Sequence, residues 1–477
     1  MARPRPNILM IVSDDQGHWA MKNAGTPEIH TPNLDELARN GKRLDALYCV
    51  SPVCSPARAS LLTGRIPSTH GVHDWIRAGN AAIETEFHNR LIRYLDRHRT
   101  FVEILAANGY VCGLSGKWHL GNTHEPHRGF SYWQAYATGG GSYQSPAMIR
   151  NGEVHLEHGY LTDIITANAL TFIDRQKGRD PWYLSVHYTA PHAPWDEAEH
   201  KPEDFRRYYP GCSFASLPAP PMHPGFYDPA KFPEDEDARR RILAGYFAAV
   251  TAMDRGIGML LEALERSGQL EDTLVIFTSD NGMNMGHHGI YGKGNGTFPQ
   301  NLFETSVKVP GIFMQRSRIA PGTLDGLYSH YDFLPTILSW VGLGDQIPAG
   351  LPGRDIGAVL TSDAPEEDAY VVVFDEYGPN RMIREGRWKY IHRYAGGSCE
   401  LYDLAADPGE ERNLAADPGR AAVVAGLLAR MNEWFARYGT GQMDGSRLPV
   451  MGGGQIDRIG GQGVDGAIFV DHQDRLH

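Results

Sequence analysis

The chain of 477 residues carries 45 Lys and Arg against 57 Asp and Glu, which gives a formal net charge of −12, and 42% of its residues are hydrophobic. This composition is typical of a folded globular protein and excludes a fibrous or wholly disordered chain. The negative charge disfavours binding to nucleic acid or to an anionic membrane surface, so an anionic substrate would need cationic side chains clustered around it.

The cysteines and the amino-terminal segment bear on the compartment in which the protein works. The five cysteines are scattered and odd in number, so they do not form a disulfide framework and at least one of them is free. The first apolar segment, residues 7–12, is too short for a signal peptide, and no run of about 20 apolar residues occurs that could cross a membrane. We therefore expect a cytoplasmic protein with no membrane partner, and the oligomeric state stays open.

Short apolar segments bounded by turn residues alternate with helical patterns along most of the chain. This alternation predicts an α/β fold with a mostly parallel central sheet flanked by helices. The predicted buried parallel strands are residues 8–12, 110–114, 182–188, 274–278 and 311–314. Predicted helices are residues 32–40, which follow a Thr-Pro start and end before a glycine, and the amphipathic residues 237–267. Residues 202–233, rich in Pro and aromatic side chains, are predicted as an ordered irregular excursion over the surface.

The pattern changes near residue 360, where short strand-like segments joined by tight turns precede a helix. The predicted strands are residues 370–374, 381–384, 388–392 and 400–403, and the helix is residues 420–438. We therefore predict a smaller C-terminal α+β domain of antiparallel sheet plus helix. The predicted boundaries are 1–360 for the α/β domain, 361–438 for the small domain and 439–477 for a Gly-rich extension. The extension is either a flexible arm or an ordered segment that covers a neighbouring surface.

Acidic residues mark the ends of two predicted strands. Asp14 and Asp15 come after residues 8–12, and Asp280 and Asn281 come after residues 274–278. Open α/β sheets place their ligands at the carboxyl ends of the strands. Three carboxylates and an amide there form an all-oxygen site, which suits Ca²⁺ or Mg²⁺. Asp14 and Asp15 alone would be equally consistent with a helix cap or a turn.

The stretch around Cys54 carries the most specific pattern in the chain. Cys54 precedes Pro56 and a helical segment, residues 57–63, so its side chain is predicted at a helix N-terminus, where backbone N–H groups favour anions. A lone cysteine without such a context is more often a small buried core residue. The pattern Cys54-x-Pro56-x-Arg58, followed by the Leu-Leu-Thr-Gly-Arg run of residues 61–65, resembles the signature of the type I, formylglycine-dependent sulfatases of the alkaline phosphatase superfamily.

The resemblance extends over most of the chain. The further motifs that carry it, in the family's order, are residues 6–16, 116–121, 190–194, 279–282, 291–294, 387–390 and 400–404. A chance match of so many motifs in this order is very improbable. The resemblance therefore implies a sulfatase, that is, a sulfuric ester hydrolase that cleaves sulfate monoesters.

The resemblance also implies a nucleophile and a metal. In the family the cysteine of the signature, here Cys54, is oxidised after translation to formylglycine, and the hydrated aldehyde is the nucleophile. A formylglycine-generating or sulfatase-maturating enzyme is therefore an expected partner. The implied metal ligands are Asp14, Asp15, Asp280, Asn281 and the formylglycine derived from Cys54. Ca²⁺ is the expected ion, because the family usually uses it and the ligands are oxygens, with Mg²⁺ as the alternative.

The remaining roles are carried over residue by residue from the family motifs. The implied catalytic residues are Cys54, Arg58, Lys117, His119, His192 and Lys293. Arg58 and Lys117 would orient the nucleophile, and Lys117 and the last three residues would surround the sulfate. Asp280 would act as base in the attack, His192 or Lys293 would protonate the departing alcohol, and His119 would serve the release of sulfate. Fixed cations and a metal are needed because a sulfate monoester is an anion that repels nucleophiles.

The substrate-facing residues are the least specified by the sequence. The candidates are His73, Asp74, Trp75 and Arg77, together with the aromatic and glycine run 136–143. A Trp next to an Asp and an Arg is a common arrangement for binding a sugar, although a Trp that fills a gap between a helix and a loop is equally common. We favour a sulfated carbohydrate as the substrate.

Three alternatives stay open at this point. The chain could be an arylsulfatase or a choline-sulfatase. It could hydrolyse phosphate or phosphonate esters, because a similar nucleophile and metal also serve at phosphorus. It could also be a glycan-binding protein without turnover, but such a protein would not need the full set of cations and metal ligands.

Overall fold

The computed structural model describes residues 5–83, 90–179, 181–362, 373–463 and 466–471. The strands are β1 (Asn7–Ser13), β2 (Lys42–Tyr48), β3 (Val111–Lys117), β4 (Tyr132–Tyr136), β5 (Ala147–Arg150), β6 (Glu153–Leu156), β7 (Trp182–His187), β8 (Thr273–Ser279), β9 (Asn284–Met285), β10 (Tyr291–Gly292), β11 (Lys308–Val309), β12 (Gly311–Met314), β13 (Gly322–Ser329), β14 (Val373–Tyr377), β15 (Asn380–Glu385), β16 (Trp388–Arg393) and β17 (Glu400–Asp403). The α-helices are α1 (Pro32–Asn40), α2 (Cys54–Thr63), α3 (Pro67–His70), α4 (Phe101–Ala107), α5 (Leu161–Arg175), α6 (Pro202–Tyr208), α7 (Glu236–Arg266), α8 (Glu304–Val307), α9 (Phe333–Trp340), α10 (Gly357–Thr361) and α11 (Ala421–Tyr438).

The largest sheet has the strand order β11-β2-β12-β8-β1-β7-β3-β4-β5-β6, and β13 also pairs with β2. Its central strands β8, β1, β7, β3 and β4 are all parallel to their neighbours in this group. Antiparallel pairs lie toward both edges, between β12 and β8 on one side and among β4, β5 and β6 on the other. The predicted α/β fold with helices around a central sheet is confirmed, and the sheet is mixed, with a parallel centre.

All five strands predicted for this sheet are present, but one of them runs in the direction opposite to the prediction. Residues 311–314 form β12, which is antiparallel to both β8 and β2. The chain between β8 and β12 contains only one short α-helix, α8 of four residues, and it returns along the same edge without a covering crossover helix. All residues of β12 are buried, so its apolar pattern does not reveal its direction.

Both faces of the central strands are buried. Leu9 and Ile11 of β1 pack in one apolar cluster with residues of α1, α5 and α7, whereas Ile8 and Met10 pack in another with residues of α2, α4 and α9. Successive side chains of a strand point to opposite faces, so these clusters are the two layers around the sheet. The predicted helix 237–267 is the long helix α7. Within the described ranges, no helix combines the length and the apolarity needed to cross a membrane.

Helix α1 is capped by Asp254, a residue distant in sequence, and not by the residue that precedes the helix. Its bounds match the predicted residues 32–40, but the Thr31 side chain makes no capping bond to the helix. The N–H groups of Asn33 and Leu34 donate instead to the carboxylate of Asp254 in α7, at 3.2 and 2.8 Å. This contact fixes α1 against α7, and because the two helices are far apart in sequence the local pattern does not predict it.

The C-terminal sheet has the order β14-β15-β16-β17, with antiparallel pairing throughout. Helix α11 packs on it through Leu427, Met431 and Phe435, which share an apolar cluster with Ile383 of β15. The predicted antiparallel sheet plus helix is therefore confirmed. Residues 370–372 of its first predicted strand lie outside the described residues.

The Gly-rich extension is ordered where it is described, and it lies against the segment that follows α2. The Thr440 N–H donates to Ser68 O at 2.9 Å, and Gln455 pairs with Ile76 in a parallel bridge. Of the two alternatives for this extension, the structure shows the ordered segment that covers a neighbouring surface.

A buried ion-pair group joins the C-terminal sheet to the rest of the chain. Lys389 of β16 is fully buried, and its ammonium lies 3.1 Å from Glu304 Oε1 and 2.7 Å from Glu410 Oε1. Burial raises the pKa of Glu410 to about 7, with Glu304 adding to this effect and Lys389 opposing it. Charges buried in this way are stable only while they stay paired.

Replacement of Lys389 by Ala would leave Glu304 and Glu410 buried without their cation. We expect the free energy of unfolding to fall by about 3–5 kcal/mol, the cost of removing one partner from a buried ion pair. Urea titration measures the change, with Lys177→Ala, at an exposed position after α5, as the control that stays within about 0.5 kcal/mol of wild type. An unchanged midpoint for Lys389→Ala would show that the two carboxyl groups need no cation.

Candidate active site

Strands β1 and β8 bring four polar residues together at the carboxyl edge of the sheet. The two strands are parallel neighbours that end in register, so the residues that follow them emerge side by side. Asn281 Nδ2 donates to Asp15 Oδ1 at 2.9 Å, and the Asp15 N–H donates to Asp280 Oδ1 at 3.2 Å. Asp14 lies next to them, and all four residues are buried. The structure thus brings together the polar residues expected at these two strand ends.

Cys54 is the first residue of α2, and its thiol lies at this cluster. The residue before it has an extended backbone and makes no side-chain cap, and every residue of α2 is buried. The Sγ atom lies 3.4 Å from Lys293 Nζ, and one ligand atom each of Asp14, Cys54 and Asp280 lie within 4.8 Å of one another. Burial raises the pKa of the thiol. The signature cysteine therefore sits directly against the carboxylates.

Three cationic side chains neutralise the three buried carboxylates of the cluster. The pairs are Arg58 with Asp280, Lys117 with Asp14, and Lys293 with Asp15. Arg58 lies one turn after Cys54 on α2, and its Nε donates to Asp280 Oδ2 at 2.8 Å. Lys117 is the last residue of β3, and Lys293 follows β10. Each cation thus comes from a different element of the fold.

These charges decide which carboxyl groups stay ionised. Burial disfavours the ionised form of every buried carboxyl group. It is outweighed at Asp280 by Arg58 and at Asp15 by Lys293, so the pKa of both groups is held below its usual value. Burial and repulsion from Asp280 instead raise the pKa of Asp14 to about 8. Asp14 is therefore the carboxyl group at which the paired cation, Lys117, does not outweigh burial and the nearby negative charge.

Two oxygens of the cluster bear on whether it can hold a cation. Asp14 Oδ1 and Asn281 Oδ1 are buried and have no hydrogen-bond partner among the described residues. A buried polar atom without a partner is costly, and such atoms in a native site call for a ligand. Carboxylate and amide oxygens are the ligands that Ca²⁺ and Mg²⁺ prefer. The residues present therefore fit a divalent cation held by Asp14, Asp15, Asp280 and Asn281.

Two histidines flank the cluster, and a backbone carbonyl fixes one ring nitrogen of each. His119 Nε2 lies 2.9 Å from Ile76 O, and His192 Nδ1 lies 2.7 Å from Ala193 O, so each of these nitrogens donates a proton. The other nitrogens are acceptors in the neutral rings. His119 Nδ1 is buried without a partner among the described residues, and His192 Nε2 lies 3.7 Å from Asp15 Oδ2. Burial lowers both pKa values, that of His192 to about 4.

The glycine run after β4 lies against both imidazole rings. A Cβ atom at Gly139 would lie 2.2 Å from His119 Nε2, and one at Gly140 would lie 2.8 Å from His192 Cε1. Contacts this short mean that these positions cannot carry a side chain unless the rings move. The two glycines line the cavity described below, whereas the tyrosines at the two ends of the run 136–143 are buried in the core.

A cavity of about 790 Å³ extends from the cluster to the surface. The cluster residues on its wall are Asp15, Cys54, His119, His192 and Lys293. Farther out, the wall includes Trp75, Arg77, Trp195, Tyr227, Arg241 and Asn295. A volume of this size is typical of small-molecule sites, and the mixture of aromatic and polar walls suits a sugar ring.

The structure divides the four predicted substrate residues into two groups. Trp75 and Arg77 line the cavity, but His73 and Asp74 are buried beside it and are not part of its wall. His73 Nε2 donates to Met443 O at 2.8 Å, and the Asp74 carboxylate accepts from neighbouring N–H and O–H groups. In this structure His73 and Asp74 therefore lie beneath the cavity wall, and their contact with the substrate stays a prediction. The C-terminal extension, which is distant in sequence, supplies a hydrogen-bond partner to each of these two side chains.

Some site residues were not found from the sequence. Trp195 and Tyr227 line the cavity, and Tyr227 belongs to the segment 202–233 that was predicted only as a surface excursion. His187, the last residue of β7, has its Nδ1 3.1 Å from Lys117 O and 3.3 Å from the Arg58 guanidinium. Its place at the end of a predicted parallel strand was the one available signal.

Comparison with protein families gives two matches along the chain. The Sulfatase family model matches residues 6–343. The model described as N-sulphoglucosamine sulphohydrolase, C-terminal, matches residues 286–437. The first match alone covers more than half of the chain.

Individual relatives agree with this match. The chain is 30% identical to an ulvan-active sulfatase of Formosa agariphila, over 91% of this chain and 82% of the relative. It is 27% identical to an N-acetylglucosamine-6-O-sulfatase of Bacteroides thetaiotaomicron, over 86% of this chain and 82% of the relative. A solved structure of a protein in complex with its substrate D-glucosamine-2-N,6-O-disulfate has the same fold, with a TM-score of 0.75, 24% identity and coverage of 91% of this chain and 98% of the other. The chain therefore belongs to the sulfatase family of sulfuric ester hydrolases.

Proposed function

We propose that this sulfatase hydrolyses the sulfate monoester of a carbohydrate, with a formylglycine made from Cys54 as nucleophile and a divalent cation, Ca²⁺ in our assignment, beside it. The observation that carries the proposal is the position of Cys54. Its side chain lies within 4.8 Å of two buried carboxylates, 3.4 Å from a buried lysine, and on the wall of a cavity of about 790 Å³.

The cavity and the relatives support a carbohydrate as the substrate class. Trp75, Trp195 and Tyr227 offer apolar ring faces on which a sugar could stack, and Asn295 offers an amide for its hydroxyl groups. Two similar proteins are named for carbohydrate sulfates, the ulvan-active sulfatase and the N-acetylglucosamine-6-O-sulfatase. Choline sulfate or a simple aryl sulfate would leave most of such a cavity unfilled.

The two groups that the chain is proposed to carry supply distinct chemistry. A cation held by Asp14, Asp15, Asp280 and Asn281 would polarise the ester and stabilise negative charge on the sulfuryl oxygens. A formylglycine at position 54, once hydrated by addition of water, would supply a hydroxyl nucleophile at the N-terminus of α2, where the backbone N–H groups favour negative charge.

The chain's own side chains then bind and orient the ester and move protons. Lys293 lies beside position 54 and on the cavity wall, so its ammonium is placed to bind a sulfuryl oxygen. Arg58 holds the Asp280 carboxylate toward the nucleophile. His119 Nδ1 is an acceptor with no partner in the described part of the chain, and it can take up a proton near position 54. His192 lines the cavity, where an anionic ester beside it favours its protonated form and so the donation of a proton to the leaving oxygen.

The burial of Cys54 bears on the proposed maturation partner. The residue is 3% exposed, and the whole of α2 around it is buried. A modifying enzyme needs to reach the peptide chain on both sides of its target. Conversion of Cys54 to formylglycine would therefore precede the packing of α2 against the sheet.

The proposal is tested by comparing esters as substrates. We expect the highest kcat/KM for a sulfated hexosamine and lower values for 4-nitrophenyl sulfate, choline sulfate and a phosphonate monoester. Cys54→Ala should lower turnover of all of them by about 10⁴-fold or more, because it removes the nucleophile. Peptide mass mapping of residue 54 in the wild type serves as the control for conversion. Ordinary turnover by Cys54→Ala would exclude the proposed nucleophile, and a preference for choline sulfate would exclude the carbohydrate.

Removal of the cation should affect stability as well as activity. Asp14 Oδ1 and Asn281 Oδ1 find no partner within the residues that the structure describes, so both are open to a cation. Ca²⁺ at 100 times its dissociation constant should add about 2.7 kcal/mol of stability. The measurement is the thermal midpoint of chelator-treated protein as Ca²⁺ is returned, with Asp14→Asn as the variant whose midpoint responds much less. A midpoint of the wild type that is indifferent to both Ca²⁺ and Mg²⁺ would contradict the assigned ligands.

The role of His192 predicts a dependence on the leaving group. A sugar alcohol leaves only with a proton, whereas a nitrophenolate leaves readily without one, so His192→Ala should lower kcat/KM for the sugar sulfate by about 100-fold more than for 4-nitrophenyl sulfate. His158→Ala, at an exposed position, is the matched control and should change neither value. Equal losses for the two esters would show that His192 does not protonate the leaving oxygen.

A further inference from the structure

The Gly-rich extension pairs with one short segment, residues 73–77. The Gln455 N–H donates to Trp75 O at 2.8 Å, and the Arg77 N–H donates to Gln455 O at 2.9 Å, so Gln455 adds to residues 75–77 as a parallel neighbour. The Gln455 side chain also accepts a bond from the His73 N–H at 2.9 Å. This part of the extension lies beyond both family matches, which end at residues 343 and 437.

The same part of the extension binds two side chains of the cavity wall, those of Trp75 and Arg77. Trp75 Nε1 donates to Gly452 O at 3.1 Å, and the Arg77 guanidinium donates to Gly453 O at 3.2 Å. The Arg77 guanidinium lies 5.7 Å from the centre of the Trp75 ring. Both side chains therefore have their orientation fixed by consecutive carbonyl groups of a segment 376–377 residues away.

Gly454 lies in close contact with these two side chains. Its φ of +111° is one that residues with a side chain rarely adopt. A Cβ atom there would also lie 2.9 Å from Arg77 Cβ and 3.0 Å from Trp75 Cε2. A side chain at position 454 would thus displace both residues from these positions.

Asp74 ties this arrangement to the C-terminal sheet. Its carboxylate is fully buried and accepts hydrogen bonds from the Gly454 N–H at 3.0 Å, from Tyr377 Oη at 2.6 Å and from the Trp75 N–H at 2.9 Å. Tyr377 is the last residue of β14. One buried carboxylate therefore links the extension, the small sheet and the backbone of the cavity-lining Trp75.

We propose that residues 452–455 of the extension determine saccharide specificity, by fixing Trp75 and Arg77 as the part of the cavity wall that binds the sugar ring. Trp75 presents an apolar ring face for stacking, and Arg77 presents donors for hydroxyl groups or for an acidic substituent of the sugar. Asp74 and Gly454 are positioning residues in this arrangement. The inference rests on the proposed function, because it assigns the wall that a carbohydrate sulfate would contact.

The test compares Gly454→Ala with wild type on a sulfated hexosamine and on 4-nitrophenyl sulfate. We expect KM for the sugar sulfate to rise about tenfold, equivalent to about 1.4 kcal/mol of lost binding, with kcat changed little. The kcat/KM for the aryl ester should change less than about twofold, since its turnover depends little on binding of a sugar ring. Gly441→Ala, in the same extension but with open space around its Cβ position, is the matched control and should match wild type on both esters.

Tyr377→Phe is the second variant, because it removes one hydroxyl donor from Asp74 and leaves the backbone unchanged. It should raise KM for the sugar sulfate about threefold and leave the aryl ester unaffected, which keeps the proposal testable if Gly454→Ala does not fold. Equal losses on both esters, or an unchanged KM for the sugar sulfate in both variants, would overturn the inference while the proposed function stands. A wild type that cleaves the aryl ester but no sulfated sugar would overturn the proposed function itself.

Discussion

The burial of three carboxylates at one edge of the sheet is the constraint on which the rest of the site depends. Ionised carboxylates removed from water are stable only with partners, and each one here is matched by a cation from a different element. Arg58 comes from α2, Lys117 from the end of β3 and Lys293 from the chain after β10. The packing of these elements and the assembly of the candidate active site are therefore a single event.

The centre of the site could be predicted from the sequence because it depends on local patterns. Asp14 and Asp280 follow apolar strands whose parallel pairing brings their ends together, and Cys54 begins a helix marked by its own motif. The direction of β12 and the capping of α1 by Asp254 depend on contacts between distant segments, which no local pattern reveals. The same holds for Trp195 and Tyr227 on the outer wall of the cavity, whereas Trp75 and Arg77 lie close enough to the Cys54 motif to be named as candidates.

Two residues of the candidate active site have backbone conformations that are uncommon outside glycine. Asp15 has φ of 63° and His119 has φ of 54°. Such conformations cost on the order of 1–3 kcal/mol and persist only where the surroundings fix them. Here the ion pair of Asp15 with Lys293 and the bond of His119 to a backbone carbonyl provide those surroundings. These contacts fix the backbone of the proposed chemical centre, whereas the outer wall is assembled from loops and the C-terminal extension.

The contact of Gly139 and Gly140 with the two imidazole rings limits how this cavity can change. A substitution at either position displaces a histidine, so this side of the cavity cannot be varied without moving one of the two groups that we propose transfer protons. Trp195 and Tyr227 also line the cavity, but they lie on segments that carry none of the carboxylates or their paired cations. A substitution at either of them need not displace a histidine. Under the proposed function, evolution or a laboratory library would change the accepted sugar through these loops and through the wall formed by Trp75 and Arg77, and not through the glycine run.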